Sequence, residues 1–432
     1  MTAKTLDVLI SGAHAGVLAQ DASGALSFEY SRRYRGAPLS CTMPLSTRTY
    51  RNKTVLPYLW GLLPEDPEAR KRVALDVEVS PNNPFALLGV IGLDCPGAVQ
   101  FCPHGIDASR GEKLVPVTDG EIAYRLRRGR TGNFGWILED EHWSLGGQQN
   151  KFALRRAGGR WYSCEGSAAT THIFKSGVKG LAHQALNEYV CMKVAARLGI
   201  PVANVEYLEF TGDDDPEPAI VIERYDRLVK EGRITRLHQE DLCQALSCLP
   251  ENKYTMYGGP GCAEALRLLT STGRTAQINA VHFLQMLFFN YLMAATDAHA
   301  KNYSIMLSAD GEHELAPMYD VASIAPYIDS VTWEVRSPKL AMSIGGENRA
   351  GRVSVGNLDK LVEQCGLERF GITSLGCRNL LVSYARAIPE QMSEVFDSLQ
   401  STATAAAATE LRARMEDPIG RLCLRSIKCL GR

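Results

Sequence analysis

The stretch Ala295-Thr296-Asp297-Ala298-His299-Ala300-Lys301-Asn302, followed at position 320 by a second aspartate, decides how this chain is read. An Asp and an Asn five residues apart, with an Asp beyond a short hairpin, form the acid–amide–acid set of phosphoryl transfer. One carboxylate takes the proton of the acceptor hydroxyl, while the amide and the other carboxylate hold magnesium against the phosphates. Tyr303–Leu307 and Glu314–Tyr319 read as strands around the turn Ala309-Asp310-Gly311. A hairpin centred on Gly311 sets Asn302 opposite Asp320, about 4.5–5.5 Å apart at Cα. Two oxygen-bearing side chains would then share a hard cation. Taken alone, the Asp and Asn also suit a helix cap and a turn. The upstream residues argue against that simpler reading.

Upstream, Ser144-Leu145-Gly146-Gly147-Gln148-Gln149-Asn150-Lys151 contains paired glycines that let several N–H groups face one anion. A hairpin follows, with strands at Lys151–Leu154 and Arg160–Tyr162 around Ala157-Gly158-Gly159, although neither GxGxxG nor a Walker A pattern is present. Thr171–Lys175 is a strand ending in lysine, and Gly180–Gly199 has helical spacing and carries Glu188. A strand lysine paired with a helix glutamate is how kinases clamp the α- and β-phosphates. Ala219–Tyr225 is an apolar strand with a polar end, in the position of an inter-lobe hinge. The order is glycine loop, strand Lys, helix Glu, hinge, Asp-x4-Asn, hairpin and Asp.

With these residues the chain resembles the HipA-type toxin kinases, the serine/threonine kinase component of bacterial toxin–antitoxin pairs. The resemblance spans nearly the whole chain. It includes Ser144–Lys151, Thr171–Lys175, Leu186–Tyr189, Val221–Arg227, Arg236–Gln244, Gly258–Gly261, Ala295–Asn302 and Met318–Asp320. Pro38–Leu45, Leu62–Glu65 and Gly92–Val99 resemble that family's additional N-terminal subdomain. The fold it implies is α+β: a bilobal protein-kinase-like fold with an extra N-terminal α/β subdomain and a mainly helical C-lobe. The expected divisions are an N-terminal subdomain at 1–110, a kinase N-lobe at 111–225 and a helical C-lobe at 226–432.

The resemblance implies ATP and Mg2+ as cofactors, with Asp297 as catalytic base and Asn302 and Asp320 as metal ligands. Gly146, Gly147, Gln148, Gln149, Asn150 and Lys151 would form the phosphate loop, and Lys175 would bind phosphate. Glu223 and Tyr225 would sit at the adenine, with His299 and Tyr319 also at the nucleotide. Ser144 matches the family's self-phosphorylated serine, whose modification ejects the loop. Family substrates are proteins, notably aminoacyl-tRNA synthetases such as the glutamyl enzyme. The family's partner is a helix-turn-helix antitoxin, through which operator DNA is mainly contacted. Gln148-Gln149-Asn150 departs from the usual loop, and the DFG and APE motifs of eukaryotic kinases are absent. That absence leaves activation-loop control through those motifs without support.

Composition narrows the field further. A net charge of −1 over 432 residues provides no chain-wide attraction to nucleic acid, and Arg421, Arg425, Lys428 and Arg432 read as a solvated helix face. The twelve cysteines show no CxxC spacing, and the N-terminus lacks a secretory apolar run, so reduced thiols and a cytoplasmic location are expected. The apolar segment Ile278–Thr296 contains Asn279, His282, Gln285 and Asn290 and reads as a buried helix rather than a membrane span. Beyond the hinge, helices are expected at Glu240–Ser247, Cys262–Leu269, Gln277–Thr296, Asn357–Gln364, Ile372–Ala387 and Ala403–Met415. Two other readings stand beside this one, the first sharing the Asp-x4-Asn…Asp order. One is a small-molecule phosphotransferase, which would lack the N-terminal subdomain and the Ser144 loop. The other is a nucleotide-binding co-repressor subunit without catalysis.

Overall fold

The computed structural model describes residues 4–76, 78–108, 111–130, 144–147, 149, 151–212, 215–329, 332–333 and 337–431. The chain divides into two compact units, one formed by 1–179, 206–251 and 304–313 and the other by 180–205, 252–303 and 314–432.

The first unit begins with a meander. Strands β1 (Lys4–Ile10), β2 (Ala13–Gln20), β3 (Leu26–Tyr30), β4 (Thr49–Arg51) and β5 (Val99–Pro103) form an antiparallel sheet in the order β4-β3-β2-β1-β5. Alternation along β1 turns Leu6, Val8 and Ile10 inward. Helices α1 (Asn52–Leu62), α2 (Pro67–Asp76) and α3 (Pro84–Ile91) follow β4, and Tyr58, Leu59, Leu62, Phe85 and Leu88 join the same core. The α3 start has Asn83 accepting from Ala86 N–H, with Pro84 in the first turn, where its missing N–H costs nothing.

A second sheet of the same unit contains β6 (Lys113–Val117), β7 (Phe152–Ala157), β8 (Arg160–Glu165), β9 (His172–Lys175), β10 (Val205–Phe210) and β11 (Glu217–Glu223). Its order is β10-β11-β9-β7-β8-β6. Helix α4 (Asp119–Arg130) contributes Ile122 and Leu126 to a core with Phe152, Trp161, Phe174 and Val221.

A buried charge cluster links the turn before β5 to the segment after β11. The Asp94 carboxylate receives Arg224, Arg227 and Arg236 at 3.1, 2.9 and 3.2 Å, and Asp226 receives Arg224 at 2.9 Å and Arg227 at 3.0 Å. Burial alone would raise the Asp94 pKa, but the charges of Arg227, Arg224 and Arg236 outweigh it and hold the pKa well below the carboxylate range.

After the ribbon β12 (Arg227–Lys230)–β13 (Arg233–Arg236) comes β14 (Gln239–Asp241), which pairs antiparallel with β15 (Ser304–Leu307). Here the structure corrects the helix expected over Glu240–Ser247. Only Leu242–Ala245 is helical, because a capping box between Asp241 and Gln244 starts the turn there and Ser247 ends it at a φ of 51°. The expected hairpin register is corrected as well. Ser308 N–H donates to Glu312 O at 3.1 Å, which would bring position 302 level with 318 rather than 320. The ribbon is also short. Asn302 lies in the 3-10 turn Ala300–Asn302, and the next strand, β16 (His313–Leu315), ends well before Asp320.

The second unit is mainly helical. It contains α5 (Gln184–Arg197), α6 (Cys262–Leu269), α7 (Ala276–Leu292), α8 (Val355–Cys365), α9 (Ser374–Leu399) and α10 (Ala405–Leu430), with a small ribbon β17 (Lys339–Ile344)–β18 (Glu347–Arg349). The last two helices run well beyond the lengths expected, through Pro389 and Pro418. They pack on each other along their length and bury Leu381, Ile388, Met392, Phe396, Leu411, Met415 and Ile419, so tertiary burial outweighs the proline penalty. The apolar α7 buries Phe283, Phe288 and Phe289 completely. Among the described residues, no helix is long and apolar enough to cross a membrane.

Glu240, on β14, is buried and accepts Cys41 N–H at 2.7 Å. Burial raises its pKa to about 7, outweighing that hydrogen bond. A carboxyl raised this way adds stability below its ordinary range and loses it as pH rises through about 7. Urea unfolding of the parent should therefore shift to lower midpoint between pH 5 and pH 8. Glu240→Gln, which has no proton to lose, should flatten that change by on the order of 2 kcal/mol; equal slopes for both proteins would contradict the assignment.

Candidate active site

Helix α7 delivers the chain into a tightly bonded turn. Met293 N–H closes on Phe289 O, Ala294 takes a left-handed φ of 49°, and Ala295 N–H returns to Asn290 O at 2.9 Å. His299 N–H then donates to Asp297 O at 2.8 Å, and Asn302 N–H to His299 O at 2.9 Å. The Asn302 amide donates to Asp297 O at 2.9 Å and to Asp320 O at 3.4 Å. Asp320 is itself left-handed, with φ 58°. Two further bonds join the segments: Tyr319 Oη donates to Lys301 O at 2.8 Å, and Ile324 N–H donates to Ala294 O at 3.1 Å. Asp297, His299, Asn302, Tyr319 and Asp320 thus come together in the second unit, by a turn-to-turn junction rather than a cross-strand pair.

Asp297 and His299 differ sharply in exposure. The Asp297 side chain is 72% exposed and that of His299 only 5%, with Nε2 and Oδ1 3.8 Å apart. Burial first, and then the neighbouring Lys253 charge, lowers the His299 pKa to about 3, so the imidazole is neutral near pH 7. Sequence reasoning missed one residue here. Tyr254 donates its phenol to Asp297 Oδ1 and meets the His299 ring edge-on at 4.9 Å. Its neighbour Lys253 is buried, and the Lys253 carbonyl accepts Ala300 N–H at 3.4 Å. The nearest sequence signal is the Gly258–Gly261 run just after it; nothing in the sequence connects Tyr254 to an aspartate 43 positions away.

In the same unit, Glu188 is fully buried on α5. The adjacent Asn187 pins this helix to the segment after Asp320, donating to Ser323 O at 2.7 Å and accepting Ser323 N–H at 3.1 Å.

The other candidate residues lie in the first unit. Lys175 ends β9, is 3% exposed and pairs with Ile220 of β11. Glu223 is exposed at the end of β11 opposite His172. Arg224 N–H closes on Thr171 O at 2.9 Å, and Tyr225 Oη donates to Gln239 Oε1 at 2.6 Å.

Ser144 is 1% exposed; its Oγ donates to Leu62 O at 2.6 Å and its N–H to Asp94 O at 3.1 Å. Gly147 O accepts Glu65 N–H at 3.0 Å. Gly147 holds a φ of 105°, a left-handed backbone that favours glycine, and a Cβ there would stand 2.6 Å from the flexible tip of Lys151. Gly146 and Gln149 are half-buried beside them. Gln148 and Asn150 lie outside the described residues.

The donor set suits a hard cation. Asn302 spends its amide N–H groups on backbone carbonyls, leaving Oδ1 as an acceptor, and Asp320 adds a carboxylate. Among the described residues no three His, Cys, Asp or Glu side chains cluster as a self-sufficient metal cage. One carboxylate and one amide fit magnesium, which keeps waters and phosphate oxygens in its remaining positions.

Comparison with known proteins speaks to the family and the fold. Residues 6–102 match the HipA N-terminal domain, and residues 143–407 match the HipA-like C-terminal domain. A Sinorhizobium fredii protein, Y4mE, is 32% identical over 92% of this chain and 94% of its own. The serine/threonine-protein kinase toxin HipA of Shewanella oneidensis is 30% identical over 97% of each chain. The solved complex of Shewanella oneidensis HipA, HipB and its operator DNA superposes with a TM-score of 0.77 at 27% identity, covering 98% of this chain and 99% of that one. The chain belongs to the HipA family of serine/threonine-protein kinase toxins, and its α+β fold is the kinase-like fold of that family.

Proposed function

We propose that this kinase transfers the γ-phosphoryl group of ATP to a serine or threonine of a protein, with Asp297 as the catalytic base. The observation that carries this reading is the junction of an exposed Asp297 carboxylate with Asn302 and Asp320 in one bonded turn pair. The acceptor hydroxyl gives its proton to Asp297 as its oxygen bonds to the γ-phosphorus. The bond from that phosphorus to the β,γ-bridging oxygen breaks, and ADP leaves. Tyr254 donates its phenol to Asp297 Oδ1 and so steadies the carboxylate that would meet the acceptor. Magnesium, when bound, neutralises charge on the β- and γ-phosphates, and Asn302 Oδ1 and the Asp320 carboxylate would hold it. His299, neutral and buried, would donate a hydrogen bond to a phosphate oxygen without needing to be charged. Lys175 would bind phosphate, Gly146 to Lys151 would form the phosphate loop, Glu223 and Tyr225 would bind the adenine, and Tyr319 would also serve the nucleotide.

In the cell this activity would act as the toxin of a toxin–antitoxin pair. An aminoacyl-tRNA synthetase of the glutamyl type is the proposed target, and loss of charged tRNA the proposed route to slowed growth. A helix-turn-helix antitoxin would restrain the kinase and supply most of the contact with operator DNA. The Shewanella relative's solved complex, which contains HipA, HipB and operator DNA, supports that partnership.

Self-phosphorylation at Ser144 is the proposed off-switch. Its hydroxyl is sealed against Leu62 O, so it must leave that seat to be modified. A phosphate carrying about −1.5 to −2 charges could not return to a site this buried.

Asp297→Asn should lower protein phosphorylation about 10²- to 10⁴-fold, the range for losing a general base. Nucleotide affinity should be nearly unchanged and growth inhibition on overexpression abolished; full toxicity in that variant would displace the catalytic reading. Ser144→Glu should weaken ATP binding at least about tenfold by titration calorimetry, since it places a carboxylate where burial admits only a neutral group. Unchanged affinity would contradict the loop-ejection account.

A further inference from the structure

The turn that presents Tyr254 to Asp297 has an outer face. It is closed by its own backbone: Tyr257 and Gly259 N–H groups both donate to Tyr254 O, at 2.9 and 3.0 Å, and Gly258 N–H donates to Thr255 O at 3.1 Å. Gly259 admits no side chain, because a Cβ would stand 2.0 Å from Asn252 O. The turn is fastened on both flanks. Thr255 Oγ1 donates to Ala341 O at 2.7 Å, and Lys253 O accepts the Ala300 N–H of the catalytic turn. At its tip, however, Met256 is 77% exposed and Tyr257 60% exposed. The Tyr257 ring lies 6.1 Å, edge to face, from the Tyr254 ring whose hydroxyl holds Asp297. Single exposed apolar side chains are ordinary on a protein surface. Here two adjacent ones stand on a rigid turn, one ring away from the base.

We propose that the Tyr254–Gly259 turn is the acceptor-side docking platform of this kinase, and that Met256 and Tyr257 receive an apolar side chain flanking the phosphorylated serine or threonine. The inference rests on the protein-kinase reading above. Covalent geometry fixes the occupant. An acceptor hydroxyl within hydrogen-bond reach of Asp297 brings its chain neighbours, each at most about 3.6 Å further along, over the surface beside that carboxylate. The Tyr254 to Tyr257 ring pair is part of that surface. Methionine adapts to apolar side chains of different shape, and tyrosine offers a flat ring at low entropic cost, so the platform would select for apolarity rather than for one residue.

The test uses the full chain with ATP, Mg2+ and serine-centred peptides randomised at the flanking positions. Enrichment of Leu, Ile, Val, Met or Phe at a position within two residues of the serine is expected. The double variant Met256→Glu/Tyr257→Glu should raise KM for the selected peptide at least about tenfold, as losing an apolar subsite does, while kcat changes little. Its preference at that position should move to Lys or Arg. ATP affinity equal to the parent's reports that the variant is folded, and Met256→Ala should shift KM in the same direction by less. Phosphorylation without an apolar preference, or an unchanged KM in the double variant, overturns the platform and leaves the protein-kinase reading standing. Phosphate transfer to small hydroxyl compounds but to no peptide or protein sinks both.

Discussion

The Asp94 carboxylate is the constraint on which the first unit depends. Three guanidinium groups, the Thr170 hydroxyl and the Thr170 N–H converge on its two oxygens, and the Asp94 carbonyl holds the Ser144 N–H. A buried ion left without its partner costs several kcal/mol, so no member of this cluster can move alone. The segment after β11, the Gly92–Gly97 turn and the start of the 144–151 loop are therefore set by one residue. The cluster stabilises less than its number of contacts suggests, because each charge was first removed from water. Its effect is to fix geometry: Glu223 and Tyr225 are positioned by the same acid that steadies Ser144.

Local features of the fold were legible where one short-range rule governs. The Ala157-Gly158-Gly159 turn appears as the sequence indicates. Cys262–Leu269 is helical to the residue. Features set at long range were not legible. Glu240 belongs to a strand because β15, more than sixty residues away, pairs with it. Helices α9 and α10 run through internal prolines because each buries the other.

The grouping of Asp297, Asn302 and Asp320 was legible, but the route to it was not. The expected cross-strand pairing gives way to a short ribbon, after which Met318 N–H bonds Pro201 O and the chain turns back toward Asn302. Tyr254 could not be read at all, since a phenol reaching a carboxylate from a separate turn leaves no periodicity in the sequence. The Leu62–Glu65 turn that seats Ser144 and Gly147 was equally hidden, because its bonds are made by backbone atoms that every residue possesses.

Two residues that are not glycine, Ala294 and Asp320, keep left-handed backbones on either side of the catalytic turn. Each such torsion costs on the order of 1–3 kcal/mol, and the surrounding bonds hold it in place. Replacing Ala294 by glycine would relieve that tension and at the same time widen the directions from which the Asp297 oxygen can point. In this part of the molecule, a more comfortable chain would be a less accurately aimed one.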